Sequence, residues 1–345
     1  MHFGRRYILV VLICMPASIL CGQSKTDQIT RYLLKGHKAG LFNGNVLVAD
    51  NGKIIVEAAV GYADANQNDT LTTAYRFHIG SIAKEFDAVA LMMLAEKGKI
   101  NLSDKVSKFF PDLPAWAKTI SIKNLLQYTS GLPEIRYERV QGDADNWQEL
   151  MHLKELDFEP GTKYAYNNNN TFLRRMIIEK VTGTPFNDFV QHNILERIGI
   201  KNGIIDPTEK DPLVARSFDN HFKQDGLEVP ISGWTCLTIR DFYKWAKSIN
   251  NFRLISSVST KEIMTPFRDG DQCGLGSGVI NRDTVKEHIH DGQAMHYQAL
   301  EYVENENGIN RIIIILSNQR KGNVYQIAEA ISQILDGKPY KDLAE

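Results

Sequence analysis

The sequence predicts an α/β fold of the α+β kind: an antiparallel sheet assembled from both ends of the chain and flanked by helices, with a mostly helical region inserted between. Three observations carry this. Apolar runs suited to strands lie near both termini, Val46 to Ala49 with Ile54 to Val56, and Leu300 to Val303 with Ile309 to Leu316. Each pair is joined through Asn-Gly, at Asn51-Gly52 and Asn307-Gly308, and Asn-Gly tolerates the positive φ angles of a tight hairpin turn. The residues between the two hairpins read as helices, punctuated by glycine and proline.

In chain order, Thr26 to Gly40 reads as a helix closed by glycine, followed by the first hairpin. Ser81 to Lys97, rich in Ala, Leu and Met, reads as a buried helix ending at Gly98. Ile122 to Tyr128 is a helical stretch stopped by Ser130-Gly131-Leu132-Pro133. Thr171 to Val181, Pro185 to Ile198 and Arg240 to Ile249 continue the pattern. Ile312 to Ile315 suggests a strand buried on both faces. An amphipathic helix from Val324 to Leu335 closes the chain before Gly337-Lys338-Pro339. No internal repeat is present.

Of the 345 residues, 43% are hydrophobic and 23% charged, with a formal net charge of −1. This is the composition of a globular protein with ample core. Neither the balance nor any basic cluster supports nucleic-acid binding. At the N-terminus, Arg5 and Arg6 precede an apolar run from Tyr7 to Leu20, too short to span a bilayer comfortably, which reads as a secretory signal. Cleavage is expected near Gly22-Gln23, so residues 1–22 form the signal and the mature protein is periplasmic or secreted. Cys21 raises a lipoprotein alternative, against which stands Leu20, where a lipobox wants a small residue. Cys236 and Cys273 are expected as two buried free thiols, since nothing in the sequence brings them together.

Three strings carry chemistry. In Phe77-His78-Ile79-Gly80-Ser81-Ile82-Ala83-Lys84, residues three apart on a helix share a face, so Lys84 can reach Ser81. A serine hydroxyl needs a neighbouring base, and a lysine serves if burial or a nearby cation depresses its pKa. A chain this long holds about one Ser-x-x-Lys by chance, so the motif is weak alone. In Pro160-Gly161-Thr162-Lys163-Tyr164-Ala165-Tyr166-Asn167-Asn168, Pro-Gly sets a turn and places Tyr166 and Asn168 on a loop before a helix at Thr171. A tyrosine there can relay protons and an asparagine can hold an amide; a polar turn with capping asparagines is the plainer alternative. In Glu287-His288-Ile289-His290-Asp291-Gly292-Gln293, His-x-His-Asp invites a metal reading, but the spacing does not match a metallohydrolase run. A buried structural role is the stronger reading of His288.

Taken in order, Ser-x-x-Lys, Tyr-x-Asn after Pro-Gly-Thr, and His-x-Gly before a late strand resemble the penicillin-recognising serine hydrolases. The likeness is to the branch of class C β-lactamases and D-alanyl-D-alanine carboxypeptidases. The stretch Ser121 to Pro133, with Ile122, Leu125-Leu126 and Thr129-Ser130-Gly131-Leu132-Pro133, is similar to that family's connecting text, as are Ile177 to Gly183 and Thr238 to Phe242. The resemblance implies a β-lactamase/transpeptidase-like fold, with an α/β part at about 23–84 and 265–345 and a helical part at about 85–264. It implies that Ser81 becomes the acyl-enzyme, that Lys84 and Tyr166 move the proton, and that Asn168 holds the substrate amide. His290 would face Tyr166 and the substrate's far carboxylate, with an oxyanion hole from the backbone N–H groups of Ser81 and Gln293 beside Gly292. Neither metal nor cofactor is implied, because acylation and proton transfer need only side chains.

The chain departs from that pattern at three places. Cys273 and Ser277 stand where relatives carry Tyr and Trp, His296 where they carry a glycine, and Tyr128 where they carry a His. A side chain at 296 is expected to narrow the pocket or reshape the loop beside the oxyanion hole. The leading expectation is a hydrolase of D-Ala-D-Ala-type peptides or small esters, in transient contact with peptidoglycan. A class C-like β-lactamase and a non-catalytic sensor or binding protein are the alternatives.

Overall fold

The computed structural model describes residues 24–343, so the expected signal segment 1–22 lies outside the described residues. No helix among the described residues is long and apolar enough to cross a membrane. Among the described residues nine strands and ten α-helices follow one another. Helix α1 (Lys25–Lys38) precedes the hairpin β1 (Gly44–Asp50) and β2 (Lys53–Val60), then β3 (Arg76–His78) and α2 (Lys84–Glu96). The helical middle holds α3 (Val106–Phe109), α4 (Ile122–Leu126), α5 (Asp143–Met151), α6 (Asn168–Thr182) and α7 (Phe186–Val190). After these come the short strands β4 (Ile204–Ile205) and β5 (Thr235–Thr238), then α8 (Ile239–Ile249) and α9 (Ser257–Met264). Strands β6 (Ser277–Asn281), β7 (Thr284–Ala294), β8 (Tyr297–Glu304) and β9 (Arg311–Ser317) lead to the final helix α10 (Val324–Asp336).

The main sheet runs β2-β1-β9-β8-β7-β6, every neighbouring pair antiparallel. Its central pair joins the two ends of the chain, with Leu47 opposite Ile314 and Val46 opposite Ile315. Strand β9 is covered on both sides, which is why it reads as an unbroken isoleucine run. Ile313 and Ile315 enter a core with Ile29 and Leu33 of α1 and Ile327 and Ile331 of α10. Ile312 and Ile314 enter the larger core that includes Trp245 of α8 and the helical middle. Helix α8 packs on β1 and β9, so by packing it belongs to the sheet, although its sequence reads as part of the helical insert. A small sheet, β3-β5-β4, stands between the layers and delivers the chain into the turn that carries Ser81.

Three elements differ from the sequence reading, the first being the helix read from Ser81, which opens as a 3-10 turn over Gly80–Ala83. Residues 185–198 are not one helix: a turn of π-helix (Gln191–Leu195) and a 3-10 turn (Glu196–Ile198) follow α7. Helix α6 starts at Asn168 rather than Thr171, because the Asn167 side chain caps it by accepting the Asn170 N–H. Cys236 and Cys273 are buried free thiols.

Candidate active site

Ser81 lies on a single 3-10 turn, Gly80–Ala83, that runs into α2. The tighter winding, about three residues per turn, eclipses positions i and i+3 and sets Lys84 over Ser81 more directly than an α-helix would. Lys84 Nζ lies 2.9 Å from Ser81 Oγ, and the Tyr166 hydroxyl donates to the same oxygen at 2.9 Å. Tyr166 comes in on the loop before Asn167, as expected. Asn168 is instead the first residue of α6; its backbone N–H donates to Glu134 at 3.0 Å, and its Nδ2 lies 3.5 Å from the same carboxylate.

Lys84 is only 5% exposed. Burial holds its pKa down at about 8; Tyr128 opposes the shift and the Arg174 guanidinium adds to it. The rings of Trp234 and Tyr166 lie 4.9 and 5.5 Å from Nζ. Burial pushes the Tyr166 hydroxyl up to about 12, against the pull of its hydrogen bond to Ser81. Near neutrality this arrangement offers a serine between a lysine that is partly free base and a tyrosine that keeps its proton.

Tyr128, the residue where relatives carry His, supports Tyr166. It is buried, and its ring centroid lies 4.6 Å from that of Tyr166. Its hydroxyl receives Arg174 Nη2 at 3.3 Å, and Arg174 Nε lies 2.8 Å from Asp87 Oδ1 in an ion pair closed off from solvent. A small pocket beside Lys84 is walled by Ala83, Asn168, Phe172, Ile231 and Trp234.

Strand β7 closes the site. A Cβ on Gly292 would fall 1.9 Å from the Ile79 carbonyl oxygen and 3.1 Å from the Ser81 nitrogen, and one on Gly80 (φ +58°) would fall 2.4 Å from the Gln293 nitrogen. Glycine at both positions is what lets strand and turn meet, bringing the backbone N–H groups of Ser81 and Gln293 to one junction. Gln293 Oε1 accepts from Arg320 at 3.1 Å. The side chain at 296 does not stand free over this junction: His296 Nδ1 is paired with Asp225 at 2.8 Å. Ser277 opens β6 opposite Ile289.

His290 departs from expectation. It is buried, and its Nδ1 lies 2.6 Å from Glu85 Oε1, so that nitrogen is not available to a substrate carboxylate. The reason is alternation: His288, His290 and Gly292 share the face of β7, the strand that packs on the 3-10 turn leading into α2.

Among the described residues, Glu85, His288 and Glu301 form the one group whose ligand atoms are close enough to hold a metal ion, all within 4.8 Å. Their hydrogen bonding does not suit one. His288 Nε2 is 2.9 Å from the Leu275 carbonyl, and Nδ1 is 3.1 Å from Asn250 Oδ1 and 3.2 Å from Glu301 Oε1. The Asn250 amide is fixed in that sense because its Nδ2 donates to Ala246 and Glu301. Both ring nitrogens face acceptors, so both carry hydrogen and neither keeps a lone pair for a metal. Burial opposes the charge, but Glu301 and Glu85 outweigh it and hold His288 well above its ordinary range.

The sequence reading missed Glu85, Arg174, Trp234 and Glu134. One signal was available: Lys84, Glu85 and Asp87 are charges at the head of a helix that runs apolar from Ala88 to Ala95, and buried charges require partners.

The sequence profile of the Beta-lactamase family matches residues 27–337. Penicillin-binding protein 4* of Bacillus subtilis is 27% identical, over 87% of this chain and 73% of its own. Among solved structures, a penicillin-binding protein from Bacillus halodurans superimposes with a TM-score of 0.75 at 20% identity, covering 89% of this chain and 98% of its own. The D-amino acid amidase of Ochrobactrum anthropi SV3, complexed with L-phenylalanine amide, gives 0.74 at 20% identity, covering 91% and 99%.

Proposed function

The chain belongs to the beta-lactamase family of serine hydrolases, and from that premise we propose that it is an exported enzyme opening an amide or ester through an acyl-enzyme on Ser81. The observation that carries the reading is the placement of Ser81 Oγ at 2.9 Å from both Lys84 Nζ and the Tyr166 hydroxyl. Unprotonated Lys84 takes the Ser81 proton as Oγ bonds to the substrate carbonyl carbon. The oxyanion that forms is received by the backbone N–H groups of Ser81 and Gln293. As the C–N or C–O bond breaks, the leaving group takes the Tyr166 proton, which the Lys84 ammonium replaces. Water then attacks the acyl carbon and returns Ser81 by the reverse transfers.

The substrate class follows from charge at the mouth. Glu134 places a carboxylate beside Asn168, while His290, the expected partner of a substrate carboxylate, is bound to Glu85. This favours peptides or amides of amino acids bearing a free amine near the scissile bond, with Asn168 receiving the amide. The amide-bound Ochrobactrum anthropi enzyme supports amide cleavage within this fold. Export rests on Arg5-Arg6 and the apolar run to Leu20.

The test is intact-mass spectrometry of the mature protein with amino-acid amides, activated esters, penicillins and cephalosporins. A covalent adduct mapping to Ser81, lost in Ser81→Ala and formed far more slowly in Lys84→Ala, is expected. Undiminished turnover in both variants overturns the assignment.

A further inference from the structure

Beneath the site lies a buried polar cluster to which the reaction above gives no task. Glu85 follows Lys84 by one residue, about 100° around the helix, so Lys84 faces Ser81 while Glu85 faces β7. The Glu85 carboxylate is closed off from solvent and accepts from three donors: Trp245 Nε1 at 2.6 Å, His290 Nδ1 at 2.6 Å and His288 Nε2 at 3.2 Å. His288 is pinned on its other edge by Asn250 and Glu301. With every neighbour donating, Glu85 is the acceptor of the His290 bond, and Nδ1 carries the hydrogen.

The ring is packed closely against backbone. A Cβ on Gly276 would fall 2.5 Å from His290 Cγ and 2.9 Å from Nδ1, so the imidazole lies between the Gly276 backbone and Glu85. Nε2 is left without a protein partner among the described residues. It belongs to a strand whose next residue on the same face, Gly292, abuts the Ser81 nitrogen.

We propose that Glu85 is a positioning residue for the active site: its buried carboxylate captures the His290 Nδ1–H and fixes the tautomer whose Nε2 is an open acceptor beside Ser81. His290 Nε2 then offers a lone pair, which receives a donor such as a substrate N–H. This rests on the hydrolase reading for its purpose, while its geometry is independently measurable.

Long-range proton–nitrogen correlation spectra of the full mature protein, labelled at histidine nitrogen and assigned with His290→Gln, read the tautomer directly. The expected result is a protonated Nδ1 and a bare Nε2 on His290. In Glu85→Ala that signature should change to the other tautomer or a mixture, and Ser81 acylation should slow by roughly tenfold or more, with partial recovery of both in Glu85→Asp. A wild-type spectrum with hydrogen on Nε2 overturns the proposal even if Glu85→Ala fails to fold. A folded Glu85→Ala with unchanged tautomer and unchanged acylation overturns it equally. Absence of any Ser81 adduct in the wild type would instead sink the hydrolase reading and leave the tautomer result standing.

Discussion

Raising the pH should accelerate acylation of Ser81 in proportion to the unprotonated fraction of Lys84. With its pKa held at about 8, that fraction is about 1% at pH 6, about 9% at pH 7 and about 90% at pH 9. The logarithm of kcat/KM should therefore climb with a slope of about 1 below pH 8 and flatten by about pH 9. A lysine at its ordinary value of 10.5 would keep the rate climbing past pH 10, and at pH 7 its reactive fraction would be roughly 300-fold smaller. Tyr166, raised to about 12, keeps its proton throughout and adds no descending limb. Stopped-flow acylation by a neutral p-nitrophenyl ester, with intact mass to verify the Ser81 adduct, gives the profile. A flat profile between pH 6 and 9, an inflection near 6, or the same curve in Lys84→Met would refute Lys84 as the base.

Tyr166→Phe removes the proton donor but keeps the ring against Tyr128, so acylation by amides should fall by about 10²- to 10⁴-fold, and single-turnover kinetics would show it. Gly292→Ala pushes a methyl into the Ile79 carbonyl and separates β7 from the serine turn; a loss of roughly a hundredfold in kcat is expected, and an unchanged kcat would mean the oxyanion hole lies elsewhere. Asp87→Asn strands the buried Arg174 charge and should cost about 3–5 kcal/mol in denaturant unfolding; a change below about 1 kcal/mol would mean the ion pair does not form. His296→Gly breaks a partly exposed pair with Asp225 and should change stability by less than about 1 kcal/mol; a larger loss would show that this pair anchors the β7–β8 turn.

The two terminal hairpins were legible because Asn-Gly turns and isoleucine runs are local signals, and the order of the three motifs located Ser81, Lys84 and Tyr166. Smaller features were ambiguous in kind. Four consecutive asparagines can begin a helix at several places, and only the Asn167 cap decides for Asn168. The 3-10 turn at Ser81 and the π turn at 191–195 share the α-helical periodicity over so few residues that pattern cannot separate them. The partners of Lys84 and Glu85 could not be read at all. Trp245, His288 and His290 lie far along the chain from Glu85, and residue types alone do not say which distant groups a buried charge will meet. For the same reason the motif that carries His290 says nothing of the carboxylate that its Nδ1 meets.

The seating of β1 between β2 and β9 has a consequence for the order of events in making this protein. Strand β1 leaves the ribosome long before β9, so the centre of the sheet closes only once β9 has been made. Until then β1 presents Val46, Leu47 and Val48 on an unpaired edge, the kind of surface that invites pairing with other chains. Ser81 and Lys84 are made well before Gly292 and Gln293, so a chain stalled ahead of β7 carries the serine turn without the strand that closes against it. Synthesis of β7 to β9 thus serves as a molecular clock for the sheet: neither its central pair nor the junction of Gly292 with the serine turn can form before these strands exist.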